Sequence, residues 1–254
     1  MSGRLAVIGL GPGDDAYLTA EARAEIAGAE MFYGYAPYLA RLALRGDQTA
    51  HASDNRAELS RAEAALTAAA AGARVAVVSG GDPGVFAMAA AVCEAIDHGP
   101  AAWREVEIAV VPGITAMLAA AARVGAPLGH DFCALSLSDN LKPWDLVCRR
   151  LRAAADTGMV IALYNPASRA RPWQLVEALR TLAASLAPDT PVIFARAVGR
   201  LDETVTVTTL AAAPEEPADM ATCVIVGGPL TQRIERPGRR PLVYSARAVP
   251  EARQ

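Results

Sequence analysis

The chain's 254 residues allow one large domain or two of ordinary size. A net charge of −3 and an aromatic content of only 5% exclude a basic, base-stacking nucleic-acid surface. Cys93, Cys133, Cys148 and Cys223 make no C-x-x-C pair and His51, His98 and His130 are scattered, so no metal site is expected and free thiols fit a cytoplasmic setting; no apolar run has the length of a signal core or a membrane span.

In chain order, residues 5–9 read as a buried strand, 19–27 as a helix with Thr19 as N-cap, 31–33 as a strand and 37–44 as a helix. A long helix over 56–71 follows, capped by Ser53 or Asp54, then a strand over 74–79, a helix over 85–96, a strand over 106–111 and a helix over 115–124. This alternation predicts a mostly parallel sheet with helices on both faces. Gly125-Ala-Pro-Leu-Gly129 breaks the pattern and sets the expected division into domains 1–129 and 130–254. Beyond it, strands are expected over 132–137, 159–164, 192–195, 204–208 and 223–226, with helices over 142–155 and 171–186. The last three strands have short connections, as antiparallel strands do, so the second sheet should be mixed. The expected fold is therefore α/β, two αβα domains, with residues 233–254 as a partly ordered, arginine-rich tail.

Three of the expected strands run into glycine-bearing loops: Gly9-Leu-Gly-Pro-Gly13, Ser79-Gly-Gly-Asp-Pro-Gly84 and Pro112-Gly-Ile-Thr-Ala116. Ligands of open α/β sheets bind outside the carboxyl ends of the strands, so three such ends in one sheet predict a small-molecule site. The first loop is G-x-G-x-G, with Pro12 where a dinucleotide-binding helix begins, and Glu30 precedes the second strand rather than ending it. Both features count against NAD, and a nicotinamide-dependent oxidoreductase is kept only as a rival. In the second loop Gly80 and Gly81 permit close backbone approach, and Asp82 places a carboxylate at a helix start, as a cap or beside a cationic ligand. Thr115 fits a helix cap or a ligand contact equally.

Taken together, Gly9-Leu-Gly-Pro-Gly-Asp14, Gly80-Gly-Asp-Pro83 and Val111-Pro-Gly-Ile-Thr-Ala116 resemble the S-adenosylmethionine-binding loops of the tetrapyrrole (precorrin/corrin) methyltransferases. The resemblance runs from residue 5 to about residue 228. Tyr33-Gly-Tyr-Ala-Pro-Tyr-Leu39, Ser53-Asp-Asn-Arg-Ala-Glu-Leu59, Ser136-Leu-Ser-Asp139, Leu163-Tyr-Asn-Pro166 and Ala195-Arg-Ala-Val-Gly-Arg200 are most similar to one branch of that family. That branch methylates ring carbon 17 of precorrin-3B and contracts the macrocycle to precorrin-4 in cobalamin (vitamin B12) biosynthesis. The anaerobic branch, acting on cobalt-factor III, has similar motifs and stays open, as does methylation at another corrinoid carbon. The resemblance implies a cytoplasmic homodimer of the tetrapyrrole methylase fold, with the cofactor in the cleft between two αβα domains and no metal, nucleic-acid or membrane partner. S-adenosyl-L-methionine is the implied methyl donor and S-adenosyl-L-homocysteine the product. By position, Pro12, Gly80, Gly81, Asp82, Val85, Thr115 and Ala116 are the implied cofactor contacts from the first domain, with Tyr164 and Asn165 from the second.

Methyl transfer from a sulfonium is an in-line displacement, in which alignment of donor and acceptor supplies up to about 7–11 kcal/mol. The acceptor is rimmed with carboxylates, which arginine binds bidentately. Arg56, Arg169, Arg171 and Arg196 fall at loop or helix-start positions and are the substrate-binding candidates, with solvated surface arginines as the alternative. Ring contraction also moves protons, for which Asp139, His130 and Tyr35 are the catalytic candidates. A helix cap, a loop histidine and a core aromatic are the alternatives for these three.

Overall fold

In the computed structural model, which describes residues 3–54, 57–168 and 170–249, most of the expected strands and helices are present. The chain divides into two units, Met1–Ala116 and Met117–Gln254.

The first unit contains β1 (Arg4–Gly9), α1 (Ala20–Gly28), β2 (Met31–Tyr35), α2 (Ala36–Leu39), β3 (Thr49–Ser53), α3 (Glu58–Ala70), β4 (Arg74–Ser79), α4 (Met88–His98) and β5 (Glu107–Val111). Its sheet has the order β3-β2-β4-β1-β5, and every pairing is parallel. β1 and β4 are buried on both faces, which is why they read as unbroken apolar runs rather than alternating ones. One face packs Leu5, Val7, Val75 and Val77 against Leu66 of α3 and Val92 of α4. The other packs Ile8, Phe32 and Val78 against Ala22 of α1 and Leu39 of α2. The Thr19 hydroxyl accepts from the Ala22 N–H at 3.0 Å, so the expected cap of α1 forms.

Three differences from the sequence reading have physical causes. β3 escaped notice because it is an edge strand whose Thr-Ala-His-Ala residues are exposed and carry no apolar run. α2 ends at Leu39, well short of residue 44, in a turn closed by the Arg41 N–H on the Tyr38 carbonyl. α4 starts at Met88 rather than Val85, because Phe86 is held at a φ of 53°, outside the helical region.

α5 (Ala116–Val124) begins on the last residue of the first unit and otherwise belongs to the second, where β6 (Gly125–Ala126), β7 (Phe132–Ser136), α6 (Trp144–Asp156), β8 (Val160–Tyr164), α7 (Gln174–Leu182), β9 (Pro191–Arg196), β10 (Thr204–Thr209), β11 (Thr222–Val226), β12 (Thr231–Arg236) and β13 (Arg239–Ser245) follow. The main sheet runs β10-β9-β11-β8-β7, parallel only between β7 and β8, and so is mixed as expected. Leu137, Leu151, Leu163, Leu179, Leu182 and Phe194 form its core with α6 and α7. Residues 117–126 belong here through Arg123, bonded to Glu203 from Nε at 2.7 Å and Nη2 at 3.0 Å, and through the parallel pairing of β6 with β13. The expected tail is a correction: residues 231–245 form the β12–β13 hairpin, turned at Gly238 with a φ of 67° and tied down by Thr231, Ser245 and Pro127. Among the described residues no helix is long and apolar enough to cross a membrane.

Candidate active site

β1 lies between β4 and β5, so the three glycine-bearing loops leave neighbouring strand ends. They are hydrogen-bonded to one another. The Leu10 N–H donates to the Ser79 carbonyl at 2.8 Å, and Gly11 and Gly81 exchange N–H···O bonds at 3.1 and 3.0 Å. Gly81 sits at a φ of 68°, in the left-handed region that a side chain disfavours. Asp82 joins the second loop to the third: its Oδ1 accepts from the Gly84 N–H at 2.8 Å and its Oδ2 from the Gly113 N–H at 3.0 Å. The backbones meet so closely that a Cβ on Gly113 would lie 2.2 Å from the Gly81 carbonyl oxygen.

The expected cofactor residues of the first unit are thus gathered at one sheet end. Pro12, Gly80, Gly81, Asp82 and Val85 are half-buried, Thr115 is buried, and Ala116 opens α5. Tyr35, at the same end of the parallel sheet, meets Tyr38 edge-on at 5.5 Å. Tyr33 is instead a core residue stacked on His51 at 4.6 Å, where burial pushes its hydroxyl up. In the second unit, the Tyr164 hydroxyl accepts from the Met117 N–H at 3.0 Å. Asn165 stands in the left-handed region at a φ of 52° and donates to the Ser136 hydroxyl at 3.0 Å.

The structure does not bring the catalytic candidates of the second unit together. His130 precedes β7 and Asp139 follows it, so they flank a five-residue strand at opposite ends. Asp139 is bonded to Arg171 Nη1 at 2.9 Å and to Gln174 Nε2 at 3.3 Å, while Arg171 also donates to the Ser138 hydroxyl at 3.0 Å. One expected proton carrier and one expected substrate arginine are therefore an ion pair. The Arg171 hydrogen bond holds the Asp139 carboxyl below its ordinary value. Arg196 is engaged by Asp202 and Asp219, each at 2.8 Å. Arg56 and Arg169 lie outside the described residues. Cys223 is fully buried, and burial pushes its thiol up to about 12, which suits a core residue rather than a nucleophile. Among the described residues, no group of three or more His, Cys, Asp or Glu could hold a metal ion.

Sequence reasoning gave no site role to Arg41, nor to Tyr38, which figured only inside a family motif. The Arg41 guanidinium bonds three carbonyls of the first loop, and the Tyr38 ring lies where a Cβ on Gly80 would come within 2.7 Å of it. Both partners are distant in sequence, so no local pattern announces them.

The Asp139–Arg171 pair has a pH signature. A depressed carboxyl pKa contributes stability that is fully present above the ordinary value of about 3.9 and is lost as the pH falls below it. A double-mutant cycle of Asp139→Asn and Arg171→Met, read by urea unfolding at neutral pH, is expected to give a coupling of about 1 kcal/mol. The coupling should shrink steadily as acid titrates the carboxylate, and one that is constant through that range would contradict the pairing.

Comparison with known proteins agrees with this geometry. Residues 4–214 match the family of Tetrapyrrole (Corrin/Porphyrin) Methylases. The chain is 62% identical over 247 residues to a precorrin-3B C(17)-methyltransferase from a Sinorhizobium species, covering 97% of each. It is 42% identical to a probable cobalt-factor III C(17)-methyltransferase from Salmonella typhimurium, over 89% of this chain and 93% of that one. Among solved structures, the methyltransferase CobJ superposes with a TM-score of 0.91 at 49% identity, covering 96% of this chain and 100% of that one. Uroporphyrin-III C-methyl transferase from Thermus thermophilus, complexed with S-adenosyl homocysteine, shares the fold with a TM-score of 0.68 at 24% identity, over 89% of this chain and 97% of that one. The chain belongs to the tetrapyrrole methylase family, and it is a methyltransferase.

Proposed function

We propose that the chain methylates ring carbon 17 of precorrin-3B, with contraction of the macrocycle to precorrin-4, as a cytoplasmic homodimer in cobalamin biosynthesis. The observation that carries this reading is the bonded set of three loops at adjacent strand ends, in a chain so similar along its whole length to a C(17)-methyltransferase.

The residues present suit S-adenosylmethionine as donor. Gly80 and Gly81 offer peptide backbone without side chains, Thr115 and Val85 offer hydroxyl and apolar surface, and Asp82 supplies negative charge near a sulfonium. Pro12, Ala116, Tyr164 and Asn165 complete the proposed set. The donor supplies an electrophilic methyl group and needs no metal. The protein's part is to align donor with acceptor carbon and to exclude water, since the reaction disperses positive charge. Arg171 engages Ser138 and Asp139 through Nη1 alone among the described residues, which leaves Nε and Nη2 to take a carboxylate of the macrocycle. Asp139, held as the anion beside it, orients that arginine rather than carrying a proton.

Purified protein incubated with precorrin-3B and the donor should yield a product heavier by one methyl group, followed by mass spectrometry. Turnover of the cobalt-loaded substrate alone would move the assignment to the cobalt route, and no methyl gain on either substrate would sink it.

A further inference from the structure

We propose that Arg41 is the positioning residue of the loop after β1, fixing its backbone in the conformation that receives the methyl donor; this rests on reading the three loops as the donor site. Arg41 stands in the turn that ends α2, is half-buried, and reaches back some thirty residues along the chain. Its Nη2 donates to the carbonyls of Leu10 at 2.6 Å and Gly13 at 2.5 Å, and its Nη1 to the carbonyl of Gly11 at 3.1 Å. Three of the loop's carbonyls thus converge on one guanidinium.

The consequence follows from peptide planarity. With the Leu10 carbonyl turned to Arg41, the Gly11 N–H faces the other way, where the Gly81 carbonyl accepts it at 3.1 Å. The Gly11 carbonyl is shared between Arg41 and the Gly81 N–H, and the next residue, Pro12, has no N–H to offer. Arg41 therefore sets one side of the loop and, through the same peptides, the bridge to the second loop on the other. A loop with three glycines in five residues has wide conformational freedom, and nothing in its own sequence selects this arrangement. The loop also borders an open concavity of about 500 Å³ lined by residues 13–16 and Arg41. Tyr38, in the same short corner, abuts Gly80. One corner thus braces two loops, and it can do so because α2 stops at Leu39.

A planar fork with donors fixed in one plane suits three carbonyls better than the single ammonium of lysine. The test compares wild type with Arg41→Met, Arg41→Lys and, as a surface control, Arg104→Met, whose exposed guanidinium donates to the Asp97 carbonyl. Arg41→Met is expected to raise the donor KM, and the calorimetric Kd for S-adenosylhomocysteine, on the order of 10–100-fold. The KM for the tetrapyrrole should stay within about twofold, and Arg41→Lys should recover part of the loss. Without any ligand, amide exchange at Leu10, Gly11 and Gly81 should quicken in Arg41→Met and not in Arg104→Met. If Arg41→Met does not fold, Arg41→Gln, which keeps one amide group's donors, takes its place with the same expectation. A folded Arg41 variant with wild-type donor affinity overturns the assignment. Wild-type protein that binds no S-adenosylhomocysteine overturns the donor reading beneath it, a result separable from the first because it involves no variant.

Discussion

Replacing Gly113 with alanine is expected to destabilise the protein by about 3 kcal/mol and to reduce donor binding below detection. The new Cβ would sit 2.2 Å from the Gly81 carbonyl oxygen and 2.9 Å from the Gly9 carbonyl carbon. Both obstacles are backbone, so no rotamer relieves the clash and whole peptides must move. The peptides that would move are the ones that matter: Gly81 bridges to Gly11, and the Gly113 N–H is held by Asp82. Gly46→Ala is the control, because a Cβ there meets nothing within 4 Å; it should change stability by no more than about 0.5 kcal/mol. Urea unfolding and calorimetry with S-adenosylhomocysteine on both variants decide the matter. A Gly113→Ala protein with wild-type affinity would mean that the loops do not meet as described.

The same contacts explain what the sequence disclosed and what it did not. β1 and β4 were legible because central strands of a parallel sheet are apolar throughout. The three loops were legible because glycine and proline at strand ends are strong local punctuation. β3 was not, since its edge position asks for no apolar residue, and the β12–β13 hairpin hid behind arginines that face outward. At the site, composition pointed to the right loops but to separate duties for their residues. Asp82 read as a carboxylate at a helix start, but α4 begins only at Met88; that its second oxygen holds another loop depends on β1 placing β4 and β5 as neighbours but one. Asp139 and Arg171 looked like two functions and are one pair, because the ends of β7 and the approach to α7 meet only in the folded sheet. Arg41 carries no local signal at all; its three partners lie on the far side of α1 and β2 in the chain.

Asp82 permits a sharper experiment, because its three readings predict different outcomes for one isosteric change. If Asp82 only closes its own turn through the Gly84 N–H, Asp82→Asn is nearly neutral, since asparagine accepts there as well as aspartate. If it only balances a cationic ligand, Asp82→Asn folds with full stability and loses donor affinity alone. The geometry instead gives each carboxylate oxygen a backbone N–H, from Gly84 and from Gly113. Asparagine has one acceptor oxygen, so whichever N–H it satisfies, its amide nitrogen confronts the other donor to donor. The Asp82→Asn variant should therefore lose one charge-assisted bond and gain a repulsion, about 2–3 kcal/mol of stability without any ligand present. Donor affinity should fall at least about tenfold beyond that, because the third loop is no longer held against the second and each 1.4 kcal/mol is a factor of ten. Asp82→Ala removes both bonds but brings no opposed donor, so it should be no less stable than Asp82→Asn. That pattern, both variants below wild type in the ligand-free protein and alanine no less stable than asparagine, follows from a carboxylate serving two donors at once and from neither of the simpler roles. Asp82→Asn with wild-type stability would return Asp82 to one of them, and its donor affinity would say which.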